Sequence, residues 1–120
     1  MRERMREHLS KAQAGLFDLK QDHGGIADIE FMVQYGVLAW AHKYPVLLDY
    51  TDNIRLLEQF PACGLLSTAD SSLLCDAYRA LRAAAHRLTL QELPAVVDEA
   101  EYADYRRAVQ RLWQTMMGTE

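Results

Sequence analysis

The sequence predicts an all-α fold: an antiparallel bundle of four to five helices with a short irregular or extended segment near the N-terminus. Three observations predict it. Apolar residues recur at helical spacing along most of the chain, proline and glycine interrupt that pattern at intervals, and strict alternation is confined to a short stretch near residue 16. Because amphipathic helices cannot bury their apolar stripes alone, an antiparallel bundle is the economical arrangement.

The N-terminal part combines a helix with an irregular segment. Residues 2–13 are rich in Arg, Glu, Lys and Ala, which favour a helix, and Gly15 is placed to end it. Residues 16–20 alternate apolar and polar side chains, which predicts a short strand. The pair Gly24-Gly25 then predicts a turn before the next helix.

Two helices are predicted in the middle of the chain. The first covers residues 28–43 and ends before Pro45, and a shorter one, capped by Thr51 or Asp52, runs to Phe60. The inward face of the first helix is predicted to carry Ile29, Val33, Gly36 and Trp40, and that of the second Ile54 and Leu57.

The two remaining helices have apolar seams at heptad-like spacing. Residues 67–70, Ser-Thr-Ala-Asp, resemble a capping box and predict the longest helix, about 68–92, before Pro94 interrupts. The last helix is predicted over roughly 99–117. The seams consist of Leu74, Tyr78, Leu81, Ala85 and Leu88 in the first, and Tyr102, Tyr105, Val109, Leu112 and Met116 in the second.

Composition limits the classes of function. The 120 residues suit a single domain, and a net charge of −4 gives no general basic field for nucleic acid. No apolar run approaches the roughly 20 residues that span a bilayer, so we expect no membrane contact. Cys63 and Cys75 lack metal-ligand spacing and are expected to be buried, reduced thiols of a cytoplasmic protein.

Asp28 and Glu30 are the candidate catalytic and metal-binding residues. On an extended backbone both carboxylates would project from one face, where oxygen ligands suit Mg²⁺. Gly24 and Gly25 would let phosphate groups approach the backbone, and Lys20 would neutralise their charge. The alternative is structural: Asp28 is a helix N-cap, and Glu30 sits in the first turn of that helix.

The string Asp18-Leu-Lys20 followed by Gly24-Gly-Ile-Ala-Asp-Ile-Glu-Phe31 closely resembles the C-terminal half of bacterial glutamine synthetase adenylyltransferases. The resemblance continues through Thr51-Asp-Asn-Ile-Arg-Leu-Leu-Glu58 and Leu90-Gln-Glu-Leu-Pro94, and ends near Trp113. It implies an enzyme half that transfers AMP from ATP to a tyrosine of glutamine synthetase and regulates nitrogen assimilation. It also divides the chain into residues 1–31, a helix plus part of the active-site segment, and residues 32–120, a helical bundle domain.

The resemblance implies a two-metal site with Mg²⁺ and ATP, to which Asp28 and Glu30 would contribute. The family also uses a Gly-Ser turn and an Asp-x-Asp pair, and neither is present in this sequence. With the abrupt helical start at Met1, this suggests a C-terminal fragment that is inactive alone and binds no cofactor firmly. Its partners would be the remaining nucleotidyltransferase domain and glutamine synthetase. A segment 16–27 without its sheet is expected to be displaced, mobile or paired with a second copy.

An alternative function is a helical interaction module that recognises glutamine synthetase or the PII regulator. Other residues have ordinary explanations. Trp40 and Trp113 are expected to fill the core, and His8, His23, His42 and His86 share no ligand spacing. Two sets of cations are expected to be solvated helix faces, unless they bind an acidic partner or the missing domain: Arg79, Arg82 and Arg87, and Arg2, Arg4, Arg6 and Lys11.

Overall fold

The structure is a computed structural model that describes residues 15–117. Within this range the protein is mainly helical, which confirms the predicted helical bundle with a short extended segment near its N-terminus. The elements are strand β1 (Leu16–Asp18), helix α1 (Ile26–Trp40), a 3₁₀ helix (Pro45–Leu48), α2 (Asn53–Gln59), α3 (Thr68–Leu90), strand β2 (Val96–Asp98) and α4 (Ala103–Met117). The helix expected over 2–13, with His8 and the cations of that segment, lies outside the described residues.

The helix starts follow local capping chemistry. The Ser67 hydroxyl accepts a hydrogen bond from the backbone N–H of Asp70 at 3.0 Å, as the capping-box interpretation predicts. Of the two predicted caps for α2, Asp52 is the one used, since its carboxylate accepts from the N–H of Ile54 at 2.8 Å. These caps satisfy backbone donors that the first turn of a helix leaves without partners.

The core forms where α1 packs against the other three helices. The predicted inward faces are largely confirmed, because the α3 seam from Leu74 to Ala85 is buried. Trp40 is an exception: its side chain is 37% exposed at the end of α1, so the prediction that it fills the core is wrong. Trp113 is half-buried and packs on Phe31, with ring centroids 5.5 Å apart. The largest fully buried side chains include Phe17, Leu19, Ile29, Met32, Leu57, Phe60, Leu81 and Leu112.

The strand predicted at residues 16–20 is present as β1, and one of its two edges is paired. It pairs antiparallel with β2, so that Leu16, Phe17 and Asp18 lie opposite Asp98, Val97 and Val96. The N–H of Leu19 extends the contact by donating to the carbonyl of Ala95 at 2.8 Å. A segment about 80 residues later thus pairs with β1 within the chain. Displacement or mobility of residues 16–27, or their pairing with a second copy, stays a prediction.

Both cysteines are buried and free, as predicted. Burial raises the pKa of the Cys63 and Cys75 thiols, which favours the unreactive protonated form. No helix within residues 15–117 combines the length and the apolar character needed to cross a membrane.

A glycine within α1 makes a testable packing contact. A Cβ added at Gly36 would lie 2.6 Å from the Cζ atom of the Phe60 ring, which is fully buried. We expect Gly36→Ala to lower the free energy of unfolding by about 1–2 kcal/mol, because overpacking outweighs the helix-propensity gain of about 1 kcal/mol. Urea denaturation measures the change. In a Phe60→Leu background the same substitution should be neutral or stabilising, and a more stable Gly36→Ala single variant would contradict the contact.

The cap of the longest helix provides a second prediction. Ser67→Ala should lower the free energy of unfolding by about 1 kcal/mol, because the Asp70 N–H loses its acceptor. The matched control is Ser72→Ala, an exposed serine inside the same helix, whose effect should stay within about 0.5 kcal/mol. Thermal and urea unfolding of both variants provide the comparison, and equal effects at the two positions would argue against the cap.

Candidate functional site

A tight turn joins β1 to α1 and carries the motif residues. The Asp18 carboxylate accepts hydrogen bonds from the N–H groups of Lys20 at 2.9 Å and Gln21 at 3.0 Å. The Asp22 carboxylate accepts from the N–H of Asp18 at 2.9 Å, while its other oxygen is buried without a hydrogen-bond partner within residues 15–117. These short-range bonds fix the backbone from which Lys20 projects.

The double glycine is held between the turn and α4. Gly24 has a φ of +84°, and an added Cβ would lie 2.6 Å from the Cγ atom of Arg106. An added Cβ on Gly25 would lie 2.6 Å from the carbonyl oxygen of Leu19. Both glycines are buried, so in this structure their lack of a side chain serves close packing. Their contact with phosphate stays a prediction.

The side chain of Arg106 on α4 contacts both this turn and β1. Its Nε–H donates to the carbonyl of His23 at 2.8 Å, and its guanidinium lies 4.4 Å from the centroid of the Phe17 ring. A cation over an aromatic face and a charge-assisted hydrogen bond each favour this position. The last helix therefore fixes the strand and the glycine turn together.

Asp28 and Glu30 do not project from one face, because the backbone there is helical from Ile26 onward. The prediction of an extended backbone is wrong, and so is the N-cap prediction, since Gly25 occupies the N-cap position. Asp28 is only 2% exposed. Its carboxylate accepts from the Gly24 N–H at 2.8 Å and lies 3.9 Å from Nδ1 of His23. Asp28 thus stabilises the turn that immediately precedes α1.

Glu30 points instead toward α3. Its Oε2 accepts a hydrogen bond from the Tyr78 hydroxyl at 3.0 Å. The same hydroxyl accepts from Nδ2 of Asn53 at 2.9 Å and from the Arg82 guanidinium at 3.2 Å. The bond to Tyr78 raises the pKa of Arg82, with a smaller contribution from the charge of Glu30. A polar junction therefore joins α1, α2 and α3 beside the motif.

A cleft of about 380 Å³ opens between the motif turn and α3. Of the predicted site residues it brings together Lys20 and Glu30, whereas Gly24, Gly25 and Asp28 are not part of its lining. The polar side chains on its walls belong to Lys20, Gln21, Glu30, Arg82, His86 and Thr89.

Sequence reasoning did not place Arg82 and His86 in the site. They are four residues apart on α3, so they share one helix face, and both are exposed. The interpretation of Arg82 as a solvated helix residue describes its exposure but misses its position at the cleft. The spacing of Arg82 and His86 was the available signal. The sequence alone did not show that this face of α3 lies against the motif turn.

The described residues do not by themselves fit the magnesium site that the resemblance implies. Within residues 15–117, no group of three or more His, Cys, Asp or Glu side chains is arranged to hold a metal ion. The carboxylates of Asp28 and Glu30 diverge, one toward the Gly24 N–H and the other toward Tyr78. A single carboxylate on an open cleft cannot complete the oxygen shell of Mg²⁺.

Comparison with known proteins agrees with the motif. A family model described as GlnD PII-uridylyltransferase matches residues 1–95. The chain is 58% identical over all 120 residues to a bifunctional glutamine synthetase adenylyltransferase/adenylyl-removing enzyme of Nitrosococcus oceani. Proteins with the same name from Thioalkalivibrio sulfidiphilus and Pseudomonas putida are each 53% identical, over 98% and 81% of the chain.

The match covers a small part of these relatives. The chain spans 12% of the Nitrosococcus oceani and Thioalkalivibrio sulfidiphilus proteins and 10% of the Pseudomonas putida protein. The resemblance to glutamine synthetase adenylyltransferases that the motif indicated is confirmed by these matches, and the chain belongs to the family whose model is described as GlnD PII-uridylyltransferase.

Proposed function

We propose that this chain is the C-terminal part of an enzyme half that transfers AMP from ATP to glutamine synthetase. The observation that carries the proposal is the convergence of two motif residues, Lys20 and Glu30, on one polar cleft. The names of the relatives, which match along the whole chain, supply the activity. Under this proposal the chain forms one wall of a nucleotide pocket.

Each motif residue has a different task under this proposal. The Lys20 ammonium, exposed on the cleft wall, attracts the phosphate groups of the nucleotide. The Glu30 carboxylate provides an oxygen at the cleft, available to a metal that other parts of the enzyme hold. Asp28, which is buried and bonded to Gly24, keeps the turn in place rather than reaching the nucleotide.

The chain alone is proposed to be inactive. Its sequence contains no Gly-Ser turn followed by Asp-x-Asp, and the described carboxylates form no complete metal site. In this family those elements would hold Mg²⁺ and ATP, which this chain would contact from one side. The remaining nucleotidyltransferase domain is therefore the first partner, and glutamine synthetase is the proposed substrate protein.

A segment exchange tests this function. In the Nitrosococcus oceani relative, the segment that matches this chain would be replaced by the present 120 residues. We expect the resulting chimera to transfer AMP from labelled ATP to glutamine synthetase, because the chain supplies the same wall of the pocket. The control is the relative without the segment, which should be inactive. A stable, folded chimera without AMP transfer, or one that uses UTP in preference to ATP, would contradict the proposal.

Substitutions at the cleft test the roles of its residues. In the active chimera, Glu30→Gln should lower kcat for AMP transfer by about 10²-fold, the typical cost of removing one preorganised electrostatic contact. Lys20→Met should mainly raise KM for ATP. The control is Glu101→Gln, which removes an exposed carboxylate beside β2 and should leave the kinetics unchanged. If Glu30→Gln had wild-type kinetics, Glu30 would not belong to the site.

A second function, recognition of glutamine synthetase or the PII regulator by the bundle, is favoured by one surface feature. Phe31, Tyr35 and Leu38 follow one another on α1 at helical spacing and are 49%, 42% and 82% exposed. Exposed apolar side chains grouped in this way commonly mark protein contacts. Titration calorimetry of the 120-residue chain with glutamine synthetase, and separately with PII, tests this second function. Binding at micromolar concentration that is lost in Leu38→Asp would support recognition by the bundle.

A further inference from the structure

The Tyr78 hydroxyl joins three helices at a nearly buried point. The side chain of Tyr78 is 6% exposed, and its hydroxyl contacts Glu30 on α1, Asn53 on α2 and Arg82 on its own helix α3. A phenol has one proton to donate and two lone pairs with which to accept. One donated and two accepted hydrogen bonds therefore use its full capacity.

The direction of each bond is fixed by chemistry. Asn53 presents its amide Nδ2 and Arg82 its guanidinium, and both groups are donors. The phenol must accept from both, so its own proton is directed to Oε2 of Glu30. A hydroxyl held in this way restricts the rotamers of Glu30, whose side chain lines the cleft.

Arg82 is ordered by the same group. Besides donating to the hydroxyl, its guanidinium lies over the Tyr78 ring, 5.6 Å from the centroid. Arg82 also lines the cleft with Glu30. One phenol thus contacts both an anion and a cation that line the cleft.

Asn53 gives a role to the second motif of the sequence, Thr51–Glu58. The preceding residue, Asp52, caps α2 by accepting from the N–H groups of Ile54 and Arg55, so the backbone at Asn53 is fixed. The amide of Asn53 therefore reaches Tyr78 from a rigid helix start. Asn53, which lies 23 residues after Glu30 in the sequence, thereby connects this motif to the cleft through Tyr78.

We propose that Tyr78 and Asn53 are positioning residues, which aim the Glu30 carboxylate and the Arg82 guanidinium into the cleft. The inference rests on the proposed function for the activity it would affect. The orientation of Glu30 by Tyr78 is a contact within this chain, so it can be tested without that activity. Tyr78 and Asn53 act through other side chains and do not themselves contact the nucleotide.

The kinetic test uses the active chimera described above. Tyr78→Phe keeps the ring and removes the hydroxyl, and we expect kcat to fall by about 10-fold, as for other residues that orient a functional group. The KM for ATP should change much less. The matched control is Tyr102→Phe, which removes the hydroxyl that accepts from Arg87 at 3.4 Å, outside the lining of the cleft. It should leave kcat unchanged.

A double-mutant cycle separates positioning from a general loss of stability. If Tyr78 acts partly through Glu30, adding Tyr78→Phe to Glu30→Gln should lower kcat by a smaller factor than Tyr78→Phe does in the unsubstituted chimera. Asn53→Ala should lower kcat in the same direction as Tyr78→Phe. Wild-type kcat in Tyr78→Phe, or fully additive losses in the double variant, would overturn the proposal.

A second measurement does not depend on activity. In the 120-residue chain, NMR three-bond couplings report the rotamer of Glu30, and Tyr78→Phe should replace one dominant rotamer by an average. Tyr102→Phe should leave the couplings as they are. Unchanged couplings in Tyr78→Phe would overturn the positioning role, whereas an inactive unsubstituted chimera with altered couplings would reject only the proposed function.

Discussion

The arrangement of the site depends on the contact of Arg106 with the motif turn. This side chain donates to the carbonyl of His23 and covers the ring of Phe17, so it joins α4 to both β1 and the double glycine. The pairing of β1 with β2 adds a second tie between the same regions of the chain. Without these contacts, the three-residue strand β1 would lose its paired strand, and the glycine turn would keep only its short-range hydrogen bonds.

Once the turn is fixed, the geometry of the carboxylates follows from helical periodicity. Residues two apart on a helix point in nearly opposite directions, so Asp28 and Glu30 are separated as soon as Ile26 begins the helix. The inward residue, Asp28, is buried and accepts a hydrogen bond from the Gly24 N–H, whereas Glu30 reaches Tyr78 and the cleft. A pair of acids that looks symmetrical in the sequence thus has two unlike roles in the fold.

The sequence predicted the helices well because their signals are local. Ser67 and Asp52 cap the helices they were expected to cap, and the seam from Leu74 to Ala85 is buried. Strand β2 was not predicted, since a three-residue strand after Pro94 carries almost no periodicity. Its existence depends on a partner about 80 residues away, which a local pattern cannot reveal.

The candidate site was predictable only in part, and for the same reason. The motif identified Lys20 and Glu30, which both line the cleft, but it did not identify Arg82 or His86 on α3. Their contribution depends on how α3 lies against the turn, which is a tertiary property. The expectation that Trp40 is buried failed in a similar way, because the apolar face of α1 continues past the point where the core ends.

Strand β2 and helix α4 lie at or beyond the boundary of the family match, which stops at residue 95. Yet these last elements supply the strand that covers β1, the arginine that holds the glycine turn, and two fully buried side chains, Val109 and Leu112. The segment that the family model matches is therefore smaller than the packed unit of the structure, whereas the Nitrosococcus oceani relative matches over all 120 residues. A protein cut at residue 95 would lose the strand, the arginine and the buried side chains together, although it would keep every residue of the motif.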